Sequence, residues 1–396
     1  MATFMRTPLI TSLLDNDLYK FTMMQGAWRQ YRDLVVEYNL TNRGQTPFPE
    51  GFAEALRWQI SEVGKLQLTA TEFNWLKTNE HTQFFRPEFV EFLRTFKLRS
   101  KDVKVTQRGG EISLRIKGPW FRTILWEVPL LALVSELYFK MTGQEVNEEY
   151  FQTSLKDKTR KLTEAGAKFA EFGTRRRYSH AIQERVVAYM VENAGNCFVG
   201  TSNVYLAMKY GVKSIGTQAH EWFMAHQTMF GTRLANQRGL ESWLDEYDGG
   251  LAIALPDTFT SDVFFRDIGK NIAQLLTGLR QDSGNPYSFT EKAKAWYDRF
   301  TLATTDKSLV YSDSIDSAEK VIDLLKTFGE MFRVSFGIGT WFSNDVGVKP
   351  LNMVIKLLRC WVKGKLVNVA KISDNPGKHN GEAEAVERTI AELEIK

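Results

Sequence analysis

From about residue 166 to residue 340 the chain repeats one phrase: a short apolar run, a polar tip, then a stretch with helical apolar spacing. Residues 167–172 end in Gly173-Thr174-Arg175, 197–199 in Gly200-Thr201-Ser202-Asn203, and 214–215 in Gly216-Thr217-Gln218-Ala219-His220. Residues 251–255 end in Pro256-Asp257-Thr258, 275–279 in Arg280-Gln281-Asp282-Ser283-Gly284, 308–311 in Ser312-Asp313-Ser314, and 333–336 in Gly337-Ile338-Gly339-Thr340. Strands that alternate with helices predict βα units and a parallel sheet. About seven repeats favour a closed or nearly closed α/β barrel over an open sheet, with chemistry at the C-terminal ends of its strands. Turn chemistry accounts for Gly and Ser at such tips. It accounts poorly for Arg175, His220 and Arg280 at equivalent places, which points to a site.

The two ends of the chain read differently. Residues 34–41, 103–106 and 112–116 read as strands, the last two joined by Arg108-Gly109-Gly110-Glu111, and 52–96 reads as helical. Residues 353–358 and 366–372 read as strands returning to this first layer. The expected organisation is therefore α/β: a discontinuous α+β domain from residues 1–140 plus 346–396, and a barrel over 141–345. With 43% hydrophobic residues in 396, the chain can bury cores for both.

Composition removes several classes of function. The net charge of +4 is modest, and the densest basic cluster is Arg175-Arg176-Arg177, too small for a nucleic-acid arm. The most apolar stretch, 124–139, is interrupted by Glu127, Pro129 and Glu136, so it predicts a buried helix and no membrane span. Cys197 and Cys360 form no C-x-x-C pair, so structural zinc is not expected. The first fourteen residues lack the pattern of a signal peptide, and the expected location is cytoplasmic.

Four tips carry candidate chemistry. His220 suits a base or a phosphoryl acceptor; His226 lies six positions on, not the four that pair metal ligands on a helix, and a helix-capping histidine is the plain alternative. Arg280 and Asp282 suit a sugar diphosphate, the acid toward ribose or a positive anomeric carbon and the guanidinium toward phosphate oxygens. An Asp-initiated turn closed by Gly284 and Pro286 explains them equally well. The glycines of 337–340 allow backbone N–H groups to approach an anion. Phe172 can stack on a planar ring and Arg175 can meet an anion, or Phe172 is core and the arginines are solvated.

Taken in order, Glu171-Phe172-Gly173-Thr174-Arg175-Arg176, Gly200-Thr201-Ser202-Asn203, Gly216-Thr217-Gln218-Ala219-His220-Glu221, Arg280-Gln281-Asp282-Ser283-Gly284 and Ser335-Phe336-Gly337-Ile338-Gly339-Thr340 resemble the nicotinate phosphoribosyltransferase family. Asp15-Asn16-Asp17-Leu18-Tyr19-Lys20 looks like its opening motif, and Val354-Ile355-Lys356-Leu357 and Lys371-Ile372-Ser373-Asp374 like its closing ones. The resemblance implies an irregular α/β barrel with an α+β domain built from both chain ends. It implies transfer of phosphoribosyl from phosphoribosyl pyrophosphate to nicotinate, with ATP phosphorylating His220. ATP and Mg²⁺ then act as a substrate complex, with no tightly bound organic cofactor and no protein metal cage. It implies ring stacking by Phe172 and Tyr19, and anion binding by Arg175 and Arg280. Ribose falls to Asp282 and Asp313, the 5′-phosphate to Gly337, Gly339 and Thr340, and Gly173, Thr201, Ser202 and Asn203 line the substrate.

Nicotinamide-using relatives carry an acid where Ser202 stands. A serine donates to a carboxylate without repelling it, which favours nicotinate. A monomer or a homodimer is expected, the latter if Tyr19 serves a neighbouring subunit. Rival readings are quinolinate or nicotinamide phosphoribosyltransferases, a non-catalytic metabolite-binding relative and a basic RNA-binding protein. The His220 motif, the Ser202 tip, the intact polar tips and the lack of an RNA-binding motif argue against these in turn.

Overall fold

In the computed structural model, which describes residues 7–395, the chain is mixed α/β with both antiparallel and parallel ladders. Eleven strands matter below: β1 (Val35–Asn42), β2 (Val103–Arg108), β3 (Glu111–Pro119), β4 (Phe169–Glu171), β5 (Phe198–Thr201), β6 (Ile253–Ala254), β7 (Gly278–Gln281), β8 (Ser308–Tyr311), β9 (Arg333–Ile338), β10 (Met353–Val362) and β11 (Lys365–Asn368). The chain divides into two compact units, drawn along other lines than the expected domains. Among the described residues the first comprises 7–32, 37–216 and 338–356, and the second 33–36, 217–337 and 357–395.

One layer has the order β11-β10-β1-β3-β2, in which the β10–β11 and β2–β3 pairs are antiparallel. The β2–β3 hairpin closes where Arg108 faces Glu111, with Gly109 at φ +55°, a conformation that suits glycine. Along β3, Leu114 and Ile116 are buried while Ser113, Arg115 and Lys117 are exposed, the period of two expected of a strand with one wet face. As expected, β10 returns to this layer. The strand read over 366–372 is broken: β11 pairs with β10, and Ala370–Lys371 pairs instead with Asn380–Gly381.

Within the first unit β4 and β5 are parallel, and Phe172 N donates to Ile338 O at the end of β9. The helix Glu127–Thr142 is buried along most of its length, as its apolar run requires, and stops at Gly143 with φ +64°. Among the described residues no helix is long and apolar enough to cross a membrane. The tip read as a strand at 214–215 is a single parallel bridge, Ser214 to Thr201. At Gly200 (φ +136°) an added Cβ would lie 2.0 Å from Lys213 O, so the chains close up there without extending into a ladder.

Within the second unit β6, β7, β8 and β9 form a continuous parallel ladder, with Gly278 opposite Ser308 and Tyr311 opposite Phe336. The run read from residue 275 begins later: Leu275 ends a short helix and is exposed, and β7 starts at Gly278. The helix Ala318–Phe328 buries Ala318, Val321, Leu324 and Phe328 on one stripe, and the Ser317 side chain caps it by accepting from Lys320 N. Parallel strands in register bring their C-terminal tips to one edge, which is where the second unit's polar residues gather.

Candidate active site

His220 is the first residue of the helix His220–Phe230 and is buried. Its Nε2 lies 2.9 Å from Asp282 Oδ2, beyond the end of β7, and its Nδ1 lies 3.1 Å from Thr258 Oγ1, beyond the end of β6. Burial first, then the nearby Lys371 ammonium, lowers the imidazole pKa to about 4, although Asp257 and Asp282 oppose this. The ring is therefore neutral at pH 7. A neutral imidazole facing a carboxylate through Nε2 carries its proton there, so Nε2–H donates to Asp282 and Nδ1 accepts from the Thr258 hydroxyl.

The carboxylates around this ring are themselves fixed. Asp282 Oδ1 accepts from Ser312 Oγ at 3.0 Å and lies 3.6 Å from Arg280 Nη2. Burial disfavours its charge, yet Arg280 and then His220 hold it well below the usual carboxylate range. Asp257 is buried, with Oδ2 accepting from Ser283 Oγ at 2.5 Å and lying 3.4 Å from Lys371 Nζ; Oδ1 stands 3.8 Å from His220 Nε2. Asp257 Oδ1 and Arg280 Nε are buried without a hydrogen-bond partner among the described residues. Groups left unsatisfied in this way are ready for a ligand. His220, Asp257 and Asp282 offer ligand atoms within 4.8 Å of one another, so hard oxygen ligands for a divalent cation exist beside the imidazole. Asp313, further along the β8 tip, pairs with Lys378 at 3.0 Å.

The second unit thus brings together His220, Asp282 and Arg280, as their tips predicted. Sequence reasoning gave no role to Asp257, Thr258, Ser283, Ser312 or Lys371. The Pro256-Asp257-Thr258 tip and the Lys371-Ile372-Ser373-Asp374 motif were the signals that held three of them.

The first unit holds the other group. Arg175, half-exposed, sits 3.4 Å from Glu127 Oε1 with its guanidinium 5.8 Å from the centre of the Tyr19 ring. Lys20 pairs with the other oxygen of Glu127 at 2.5 Å. Tyr19 is buried in the first turn of the helix Leu18–Gln30, and Gly216 packs on that turn so closely that a Cβ would lie 3.0 Å from Tyr19 N. Phe172 is half-buried, neither core nor fully exposed. Gly173 has no room for a side chain: a Cβ would meet Ser343 Oγ at 2.0 Å.

Ser202 Oγ donates to Asp17 Oδ1 at 2.8 Å, so the serine proton expected to face a substrate carboxylate is directed at a buried acid. Burial raises the Asp17 pKa against the pull of Arg175, Thr174 and Ser202. Thr201 donates to Glu171 Oε2 at 2.7 Å and Asn203 donates to Asp15 Oδ1 at 2.7 Å, so both side chains brace the scaffold. Glu171, fully buried, is pushed up to about 7 by desolvation. Gly339 approaches Phe172, with an added Cβ 3.5 Å from its carbonyl oxygen, and Thr340 opens the short helix Thr340–Ser343. Gly337 is buried in β9.

Comparison with known proteins gives one answer. Residues 167–395 match the model of the nicotinate phosphoribosyltransferase (NAPRTase) family, and residues 14–135 match the model of its N-terminal domain. A nicotinate phosphoribosyltransferase of Chromohalobacter salexigens is 42% identical over 381 residues, covering 96% of this chain and 97% of the relative. One from Desulforapulum autotrophicum is 40% identical over 389 residues, covering 98% and 99%. The crystal structure of the Porphyromonas gingivalis nicotinate phosphoribosyltransferase superposes with a TM-score of 0.94 at 36% identity, covering 98% of this chain and all of that one.

Proposed function

This chain belongs to the nicotinate phosphoribosyltransferase family, and we propose that it couples that transfer to ATP through a phosphohistidine at His220. The observation that carries the ATP step is the imidazole held neutral between Thr258 and Asp282, with one nitrogen protonated and the other bearing a lone pair. In this reading the Thr258 hydroxyl turns away from Nδ1, whose freed lone pair attacks the γ-phosphorus of ATP; the bond to the bridging oxygen breaks, and ADP leaves. The Nε2–H bond to Asp282 stabilises the positive charge that grows on the ring. Magnesium enters with ATP and pyrophosphate, and Asp257 and Asp282 supply oxygens suited to it. Water later takes the phosphoryl group from Nδ1 and restores the neutral ring.

The transfer itself needs no base. The pyridine nitrogen of nicotinate has no proton to lose; it bonds to the anomeric carbon as pyrophosphate departs, through a state with positive charge on the sugar. Catalysis is then positioning and charge stabilisation. Arg175 takes the nicotinate carboxylate, and Tyr19 and Phe172 flank the ring. Arg280 takes diphosphate oxygens, Asp282 and Asp313 the ribose hydroxyls, and Gly337, Gly339 and Thr340 the 5′-phosphate. Gly173 and Ser202 shape the wall of the pyridine site. We assign the protein to the cytoplasm, as a monomer or homodimer.

The test is product analysis with nicotinate, phosphoribosyl pyrophosphate and magnesium, with and without ATP, beside incubation with γ-labelled ATP. Nicotinate mononucleotide and an acid-labile, base-stable label on His220 are expected. Product without any label on His220 would remove the histidine step and leave the transfer standing.

A further inference from the structure

We propose that Asp15 is a positioning residue for the pyridine site, a buried clamp that holds the loop carrying Arg175 and the loop carrying Ser202 in one arrangement. This rests on the reading of Arg175, Tyr19 and Ser202 as pyridine-site residues. Asp15 is 2% exposed and meets four donor atoms on three residues, Arg177 and His180 from one stretch and Asn203 from another. Oδ1 takes Arg177 Nη1 at 2.6 Å and Asn203 Nδ2 at 2.7 Å, and Oδ2 takes Arg177 Nη2 at 2.7 Å and His180 Nδ1 at 3.1 Å.

Arg177 and Asn203 each lead toward a proposed pyridine-site residue. Arg177, with no exposed surface, lies two residues beyond Arg175 and also donates to Gln183 Oε1 at 3.0 Å. Gln183 in turn donates to Thr174 Oγ1 and Glu171 Oε2, both at 2.9 Å, which fixes the base of the Arg175 loop. Asn203 follows Ser202 directly, and its Oδ1 accepts from Leu206 N to start the next helix. The segment around Asp15 is itself stitched to that loop: Val204 N donates to Asn16 O, Tyr205 N to Leu14 O and Leu18 N to Ser202 O. Asp17 and Tyr19, two and four residues on, are thereby set against Ser202 and Arg175. A buried, bidentate guanidinium–carboxylate contact is stiff as well as strong.

Asparagine tests this, because each oxygen of Asp15 faces an Arg177 N–H and either orientation of the amide turns an NH₂ against that guanidinium. In Asp15→Asn the KM and the equilibrium Kd for nicotinate are expected to rise about tenfold, the scale of one charge-assisted hydrogen bond. The KM for phosphoribosyl pyrophosphate is expected to stay within about twofold. Arg177→Lys, which keeps the charge and loses the fork, should fall between wild type and Asp15→Asn. A purely structural clamp would lower the amount of folded enzyme and leave nicotinate KM and Kd alone; that result overturns the proposal. Should Asp15→Asn not fold, His180→Ala removes one donor of the four and is expected to raise nicotinate Kd about threefold, and an unchanged value overturns the proposal equally. Equilibrium dialysis with labelled nicotinate reads the clamp directly; a wild-type chain that binds nicotinate but makes no nucleotide sinks the transferase reading and leaves this measurement valid.

Discussion

Replacing Asp282 with asparagine changes one atom and should reverse the tautomer of His220. Asp282 Oδ1 faces two donors, Ser312 Oγ at 3.0 Å and Arg280 Nη2 at 3.6 Å. The amide oxygen of Asn is held there, so its NH₂ takes the place of Oδ2, 2.9 Å from Nε2. Two donors cannot share that contact. Nε2 must give up its proton, Nδ1 gains it, and the lone pair that the proposed phosphorylation requires disappears. Loss of one hydrogen bond to a charged group costs about 1.5–3 kcal/mol, or roughly 10- to 150-fold in rate. The same reversal in a serine protease triad costs roughly 10⁴-fold. Formation of phosphohistidine, followed by rapid quench with γ-labelled ATP, is therefore expected to slow by at least about 100-fold. Adding Ser312→Ala frees the amide to turn and should restore about tenfold of that loss. Labelling of Asp282→Asn within about threefold of wild type would show that the carboxylate does not set the tautomer.

Three further outcomes are expected. With His220 lowered to about 4, its lone pair is present above that value and lost below it, so the phosphorylation rate should be flat from pH 8 to about 5 and fall as pH drops through 4; a midpoint near 6.5 in a quenched-flow pH series would contradict the burial argument. His226 is fully buried, donates from Nδ1 to Trp222 O and accepts at Nε2 from Ser242, and burial lowers it to about 4. Because the unfolded chain binds that proton first as pH falls through 6.5, the site should cost about 2 kcal/mol of stability between pH 7 and pH 5, a loss that urea unfolding should find missing in His226→Gln. Ser202→Asp sets a second carboxylate against Asp17, now 2.8 Å from the serine oxygen. The ratio of kcat/KM for nicotinamide over nicotinate should rise about tenfold or more while thermal stability falls, and an unchanged ratio would remove charge at this tip from the basis of selectivity.

The fold was legible wherever periodicity and punctuation agreed. Gly109-Gly110 marked the hairpin, and the polar tips marked the strand ends that now carry Asp257, Asp282 and Ser312. Boundaries slipped where a leucine run suited two structures: Leu275 belongs to a helix that ends before β7 begins. His220, Arg280 and Asp282 drew notice in the sequence because polar and charged residues cluster at their two strand tips, and the structure places them side by side. The partners that set their chemistry were not, because long-range pairing leaves no local trace. Lys371 is 114 positions from Asp257 in sequence and 3.4 Å from it in space. Asp15 and Arg177 are 162 apart and share two hydrogen bonds. Ser202, Thr201 and Asn203 looked like ligand contacts, and the structure turns their side chains toward Asp17, Glu171 and Asp15.

Asp257 touches an ammonium supplied by residue 371, and the Ser283 hydroxyl that it holds also accepts from Asp374 N at 3.2 Å. A polypeptide still emerging from the ribosome, or one cleaved after β11, has the histidine and both aspartates but not these late arrivals. Its imidazole would sit beside two carboxylates with no cation to balance Asp257, take up a proton more readily, and react poorly with ATP. On the proposed histidine step, a chain ending before residue 371 lacks a group that helps set the state of the ring, although that ring lies 151 residues upstream of Lys371.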